Sequence, residues 1–281
     1  RITQGLVGCV TTRQTHIGHY PKPAVVNARL TCMAAIETNG LTKSFGRLLA
    51  VSNLNLHVAK GTIFGFLGPN GSGKSTTVKL LTGLLKPDRG DASICGLSIL
   101  SHPLEVKKKI GVLPEDLALF DAVTIWEHLM MAGAVHELGR EESERRAEQL
   151  LDFLDLSSTR NTYVDQAPTG MRKKCALAMA LIHNPQVLFL DEPFEGIDPV
   201  ASRNIKDLLL LMADRGATIF ITSHILEVVE RLVQNFAIIV SGEIVCSQSV
   251  EETLRSGQTL EDLFFNYVGR RRTLETLEWV R

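Results

Sequence analysis

No apolar stretch in the sequence is long enough to cross a bilayer. The longest unbroken run, Cys175–Ile182, has eight residues, whereas a membrane helix needs ~20. The five cysteines, at positions 9, 32, 95, 175 and 246, form no Cys-x-x-Cys pair and are odd in number. That suits neither a zinc site nor a closed disulfide framework, and a reducing compartment is the simplest reading. Neither sign of charge dominates: 30 basic side chains against 31 acidic ones leave a net charge of −1. A dedicated nucleic-acid binder carries a basic excess or stripe, so no nucleic-acid partner is expected. Internal repeats and low-complexity linkers are missing as well. The start lacks the sustained apolar segment of a signal peptide, and Leu6-Val7-Gly8-Cys9 resembles a lipoprotein cleavage box without the apolar stretch that should precede it. Arg1 is not an initiator and Met33 opens the first well-patterned segment, so residues 1–33 read as a non-native or disordered extension.

What is present is an ordinary globular chain. The 281 residues, 44% of them hydrophobic, suffice for one large or two small domains with a buried core. From Ala34 the order is strand, strand, strand, helix. Leu54, Leu56 and Val58 alternate with polar residues, the period of a half-buried strand, and Lys60-Gly61 is expected to turn the chain into Thr62–Leu67. This predicts two antiparallel strands before the first long helix, which should run to about Leu85, where Lys86-Pro87-Asp88-Arg89-Gly90 supplies a stop. Residues 91–113 predict two short strands around a helix opened by Pro103. Residues 124–155 are helical in pattern, with Thr124-x-x-Glu127 as a capping box and Glu141–Arg146 as a charged solvent face. Residues 116–168 are read as a small helical subdomain. Strand 186–190, helix 199–214, strand 217–221, helix 224–232 and a hairpin over 235–247 turned at Ser241-Gly242 follow. Strands alternating with helices predict an α/β fold with a mainly parallel sheet.

The chemistry concentrates in three places. Gly68-Pro69-Asn70-Gly71-Ser72-Gly73-Lys74-Ser75 fits the phosphate-loop pattern and lies between a strand and a helix, as that pattern requires. Its glycines let successive N–H groups face one anion at the positive end of the helix. Lys74 can reach the outer phosphates and Ser75 can hold Mg²⁺. Val187-Leu-Phe-Leu-Asp191-Glu192 is an apolar strand ending in two carboxylates, on the edge where open parallel sheets bind ligands. Asp191 suits Mg²⁺ through water, and Glu192 suits a base or positioner for an attacking water. Taken alone, Asp-Glu-Pro also simply ends a strand. His224 follows another buried strand, in Thr222-Ser-His, and a lone histidine is more often structural. Its functional reading depends on that strand lying beside Val187–Leu190.

The order of these residues resembles the nucleotide-binding domain of the ABC transporter ATPase family, over residues 34–268, with a tail at 269–281. The resemblance implies a P-loop NTPase (RecA-like) core with a mainly parallel sheet, an antiparallel β subdomain and an inserted helical subdomain. It also implies the cofactors ATP and Mg²⁺. Gly68 to Thr76 would cover the Walker A contacts to nucleotide, Val187–Asp191 would be Walker B, Glu192 the catalytic glutamate, and His224 the switch histidine. Phe45 falls where the family stacks adenine, although an aromatic beside a glycine is more often plain core. Asp198 falls in the loop that couples the two ATP sites of a dimer.

Two positions depart from the family pattern. Glu115 stands where the coupling loop usually has Gln; it can accept from water or coordinate Mg²⁺ but, when ionised, cannot donate. The signature segment reads Ala167-Pro168-Thr169-Gly170-Met171, with Pro168 in place of a Ser that would bond the γ-phosphate across the dimer. One lost bond to a charged group costs ~1.5 to 3 kcal/mol. The resemblance implies an ATP hydrolase at the cytoplasmic face of the cell membrane, paired as a homodimer or with a second ABC ATPase, and powering a separate transmembrane permease. Glu115, Thr169-Gly-Met-Arg-Lys and Leu260-Glu-Asp-Leu-Phe favour export. The alternatives are a soluble ABC ATPase uncoupled from transport and a low-turnover ATP-binding regulator.

Overall fold

A computed structural model describes residues 34–269. The expected extension over 1–33 and residues 270–281 of the expected tail lie outside the described residues. Two sheets organise the rest. Strands β1 (Ala34–Phe45) and β2 (Leu48–Ala59) form an antiparallel hairpin, and β4 (Arg89–Ile94) and β5 (Leu97–Ser98) extend it to a four-stranded sheet in the order β2-β1-β4-β5. The second sheet has six strands in the order β10-β9-β3-β8-β7-β6, comprising β3 (Ile63–Leu67), β6 (Ile110–Leu113), β7 (Val187–Asp191), β8 (Thr218–Ser223), β9 (Asn235–Val240) and β10 (Glu243–Ser249). All its pairings are parallel except the β9–β10 hairpin.

The expected antiparallel pairing of residues 54–58 with 62–67 is therefore wrong. β2 turns back onto β1, while β3 enters the other sheet and pairs parallel with β8 and β9. The burial patterns give the reason. Leu54, Leu56 and Val58 are buried while Asn55 and His57 are exposed, as in a sheet with one wet face, whereas every residue of β3 is buried. A strand covered on both sides belongs in a parallel sheet sandwiched by helices.

Helix α1 (Lys74–Leu81) also ends earlier than expected. The Thr82 hydroxyl donates to the Val78 carbonyl at 2.8 Å and Gly83 follows at φ +69°, a left-handed residue that favours glycine. Asp88 then accepts from Lys43 Nζ at 2.8 Å and the Ser44 N–H at 2.7 Å, which fastens this turn to β1. Residues 91–113 hold parts of three strands rather than two, because Cys95-Gly96 makes a tight turn into β5 ahead of α2 (Pro103–Lys109).

The inserted helices are α3 (Ile125–Val135) and α4 (Arg140–Phe153), and α5 (Thr169–Leu181) leads back to β7. The predicted capping box is formed, with the Glu127 N–H donating to the Thr124 hydroxyl at 3.2 Å and the Thr124 N–H to Glu127 at 2.8 Å. Leu129, Ala147, Leu151 and Leu177 join these helices to one apolar core with Ile63, Leu188 and Ile219 on one face of the sheet. Helices α6 (Pro199–Asp214), α7 (Leu226–Glu230), α8 (Val250–Arg255) and α9 (Leu260–Val268) complete that side. On the other face Phe64, Phe66, Phe189 and Phe220 pack with α1 and the antiparallel sheet. Ring centroids of Phe220 lie 5.7, 5.3 and 5.6 Å from those of Phe64, Phe66 and Phe189.

Candidate functional site

Because β3, β6, β7 and β8 run parallel, their C-terminal ends lie on one edge of the sheet, and every motif strand delivers its residues there. The phosphate loop follows β3, the two carboxylates close β7, His224 follows β8 and Glu115 follows β6. A cleft of about 550 Å³ opens on this edge, lined by Lys74, Ser75, Thr76, Asn70, Gly71 and Gly73, by Glu115, Glu192, Glu195 and His224, and by Phe45, Leu48 and Leu49 from the antiparallel sheet. Phe45 remains 48% exposed there, with Lys43 Nζ 5.8 Å from its ring centroid, instead of serving as core. The expected neighbouring of β7 and β8 is present, with Asp191 paired to Thr222.

Two of the loop's glycines are sterically required. A Cβ on Gly68 would lie 2.4 Å from both the Ser72 hydroxyl and the Ile239 carbonyl, and one on Gly73, at φ +109°, would lie 2.4 Å from the Ala50 carbonyl. Pro69 lies within the loop and its carbonyl accepts the Ser72 N–H at 3.2 Å. Lys74, only 6% exposed, donates to the Gly68 and Pro69 carbonyls at 2.9 and 3.3 Å and lies 3.7 Å from Glu192 Oε1. The Ser72 hydroxyl is buried without a hydrogen-bond partner, an uncommon state for a buried polar atom and one that an anion in the loop would relieve.

Glu192 is buried and adopts φ +48°, an unfavourable left-handed conformation for a residue with a side chain. Its N–H donates to the Thr222 hydroxyl and carbonyl at 3.1 and 3.3 Å. His224 Nδ1 sits 3.0 Å from Glu192 Oε1, an ion pair only when the imidazole is protonated, and the His224 N–H donates to Oε2 at 3.4 Å. Asp191 accepts a short bond from the Thr222 hydroxyl. Burial pushes the Asp191 carboxyl above its ordinary pKa, and the Thr222 and Ser75 hydroxyls pull it back. The Ser75 hydroxyl also donates to Glu115 at 3.0 Å. Ser75, Asp191 and Glu115 thus bring one hydroxyl and two carboxylates together. Among the described residues no cluster of three or more His, Cys, Asp or Glu could hold a metal. Two hard oxygen anions and a hydroxyl nevertheless fit Mg²⁺, which keeps several waters and takes its remaining ligands from phosphates.

Thr169, Gly170 and Asp198 do not line this cleft. Asp198 caps α6, accepting the Ala201 N–H at 2.9 Å, and faces Lys174 at 3.6 Å. Thr169 and Gly170 open α5, and a Cβ on Gly170 would approach the Gly196 carbonyl to 3.0 Å. Sequence reasoning missed Thr222, Glu195, Leu48, Leu49, Ser241 and Gly242. It also passed over Lys173, which donates to the Glu192 and Glu195 carbonyls. In the sequence the apolar run Ile219-Phe220-Ile221 places Thr222 at the end of a buried strand, but nothing there singles out its hydroxyl.

This fold and edge define a phosphate-loop nucleotide-binding protein of the α/β class. The ABC transporter family profile matches residues 51–195. The linearmycin resistance ATP-binding protein LnrL of Bacillus subtilis is 33% identical over 210 residues, 75% of this chain and 68% of the relative. The daunorubicin/doxorubicin resistance ATP-binding protein DrrA of Streptomyces peucetius is 34% identical over 218 residues, 78% of this chain and 66% of the relative. An uncharacterized ABC transporter ATP-binding protein of Synechocystis is 35% identical over 74% of this chain, and the chain spans 59% of that relative's length. Among solved structures, an ATP-binding subunit of an ABC transporter superposes with a TM-score of 0.78 at 28% identity, covering 83% of this chain and 98% of that one. A dimeric bacterial ABC transporter cassette gives a TM-score of 0.71 at 26% identity, covering 76% and 98%. The chain belongs to the ABC transporter family, as an ATP-binding cassette.

Proposed function

We propose that this chain binds MgATP in the cleft and hydrolyses it to drive export through a separate membrane permease. The observation that carries the reading is the meeting of Lys74 and His224 at the Glu192 carboxylate at the mouth of the phosphate loop. Gly68 to Thr76 hold the phosphates, and Phe45 stacks on the base. Lys74 leaves the loop carbonyls to pair with the outer phosphates, a stronger charge-assisted contact. Glu192 orients or deprotonates the attacking water, and His224 steadies the γ-phosphate while its Nδ1 side faces Glu192. When bound at Ser75, Asp191 and Glu115, Mg²⁺ supplies charge neutralisation on the phosphate oxygens.

Thr169, Gly170 and Asp198 serve a second nucleotide across a head-to-tail dimer, which explains why they stand apart from this chain's own cleft. Two relatives, LnrL and DrrA, are by name resistance ATP-binding proteins, and another is a Nod factor export ATP-binding protein of Paraburkholderia xenovorans. Among the described residues no helix is long and apolar enough to cross a membrane. In this reading the work is handed to a permease at the cytoplasmic face, beside the loop that carries Glu115. These names favour export over an uncoupled ATPase or a regulator.

Glu192→Gln tests the reading. The amide keeps the shape and loses the base, so ATP should still raise the melting temperature while phosphate release falls at least ~100-fold. Turnover at the wild-type rate would overturn it. Lys74→Ala should abolish most of the melting shift that MgATP gives the wild type.

A further inference from the structure

We infer that Lys173 is a positioning residue for hydrolysis, its ammonium reaching from helix α5 to fix the backbone turn that carries Glu192. The inference rests on the reading of Glu192 given above. Lys173 is 7% exposed, and its Nζ donates to the Glu192 carbonyl at 2.6 Å and to the Glu195 carbonyl at 2.8 Å. The Glu195 N–H donates to the same Glu192 carbonyl at 3.3 Å. One ammonium therefore clasps both ends of a single turn.

That turn begins at a constrained point of the site's backbone. Glu192 is held at φ +48°, and such a conformation persists only where its surroundings fix it from more than one direction. Thr222 supplies one direction by accepting the Glu192 N–H. Lys173 supplies the other, from helix α5, through the Glu192 carbonyl. Glu192 accordingly sits between a strand and the helix that opens at Pro168, and a shift of either is felt at its carboxylate.

A packing role alone does not account for a lysine here. Neighbouring Cys175, Ala176 and Leu177 already fill the core beneath α5, and burying an ammonium is costlier than burying an apolar side chain of similar volume. Burial lowers the Lys173 pKa, and the surrounding carboxylates Glu195, Glu192, Asp191 and Glu115 oppose that fall. Four acidic groups of the site thus favour the charged form of the residue that grips the turn.

The test uses the full chain with Lys173→Met, Lys173→Gln and Lys173→Arg, each measured for melting temperature, ATP affinity and steady-state turnover, beside Glu192→Gln. The expected result is a tenfold to hundredfold loss of kcat in Lys173→Met with KM for ATP within threefold of wild type. Substantial recovery is expected in Lys173→Arg, which keeps charge and donors. Added to Glu192→Gln, the Met substitution should cause no further loss, because residues acting as one unit are not additive. If Lys173→Met does not fold, the smaller polar Lys173→Gln carries the same comparison with Lys173→Arg. Wild-type turnover in a folded Met or Gln variant overturns the inference, as does a loss of ATP affinity equal to the loss of kcat, or an Arg variant no faster than the others. Wild-type turnover in Glu192→Gln would instead sink the underlying reading, so the two failures are separable.

Discussion

Thr222 serves both acidic residues at the end of β7. Its hydroxyl donates to Asp191 and accepts the Glu192 N–H at 3.1 Å, and the residue is completely buried. Thr222→Val keeps the shape and β-branching but takes a donor from the buried Asp191 carboxylate and leaves the Glu192 N–H only the Thr222 carbonyl at 3.3 Å. A loss of about 1–3 kcal/mol follows, measurable by urea unfolding. The Thr222 bond also lowers the Asp191 pKa, so the variant should need more Mg²⁺ to reach half-maximal turnover. An unchanged unfolding midpoint and an unchanged Mg²⁺ requirement would show that the hydroxyl carries neither burden. Such residues are hard to see in a sequence. Lys74 and the glycines around it announce themselves because few other patterns let a backbone wrap an anion. Thr222 reads as one more β-branched strand residue, and Lys173 sits in Arg172-Lys173-Lys174, which reads as a solvated face until burial shows Lys173 turned inward and its neighbours partly covered.

At the scale of elements, helices came through the sequence better than strand partners. Helix α6 begins and ends at the residues expected, since Asp198 caps it and Pro199 opens it. Strand pairing was misread at Lys60-Gly61 because a turn signal says that the chain bends, not which strand it bends toward. The change from alternating burial in β2 to continuous burial in β3 held that information. A second element junction carries a pH dependence. His183, after α5, places Nε2 2.9 Å from the Ile110 carbonyl that opens β6, and its ring stacks on His136 at the end of α3, with centroids 3.5 Å apart. Burial, with the neighbouring His136 and Arg146 acting in the same direction, pushes the His183 pKa down to about 4 although the Ile110 bond opposes the fall. The unfolded chain, with an ordinary value of 6.5, takes up this proton first. The stabilising contribution of a neutral His183 is thus complete above pH 6.5 and declines as pH falls toward 4. His183→Gln should flatten the urea midpoint between pH 7 and pH 4.5 relative to wild type. Parallel curves for the two proteins would refute this.

For the whole molecule, Pro168 bears on the proposed dimer. It occupies the N-cap of α5 at φ −56° and makes no side-chain cap bond, so a serine there gains a cap worth ~0.5–2 kcal/mol besides the hydroxyl that faces the partner's nucleotide in the proposed dimer. Pro168→Ser should therefore melt no lower than wild type, hydrolyse ATP severalfold faster as the isolated protein, and shift toward dimer in size measurements with ATP. If it is equally stable yet neither faster nor more dimeric, the backbone of Thr169 and Gly170 suffices and the proline is harmless. The strand order has a consequence of another kind. β3 delivers the phosphate loop, every residue in it is buried, and its partners on both sides are made late: Ile63 pairs with Ile219 and Leu67 with Ile238. At synthesis rates of about 5–20 residues per second, a nascent chain carries this apolar strand with both edges bare for on the order of ten to thirty seconds before the ribosome supplies its neighbours. The strand that carries the phosphate loop is thus open to mispairing at birth until β8 and β9 emerge, and shielding of the nascent chain over that interval protects it.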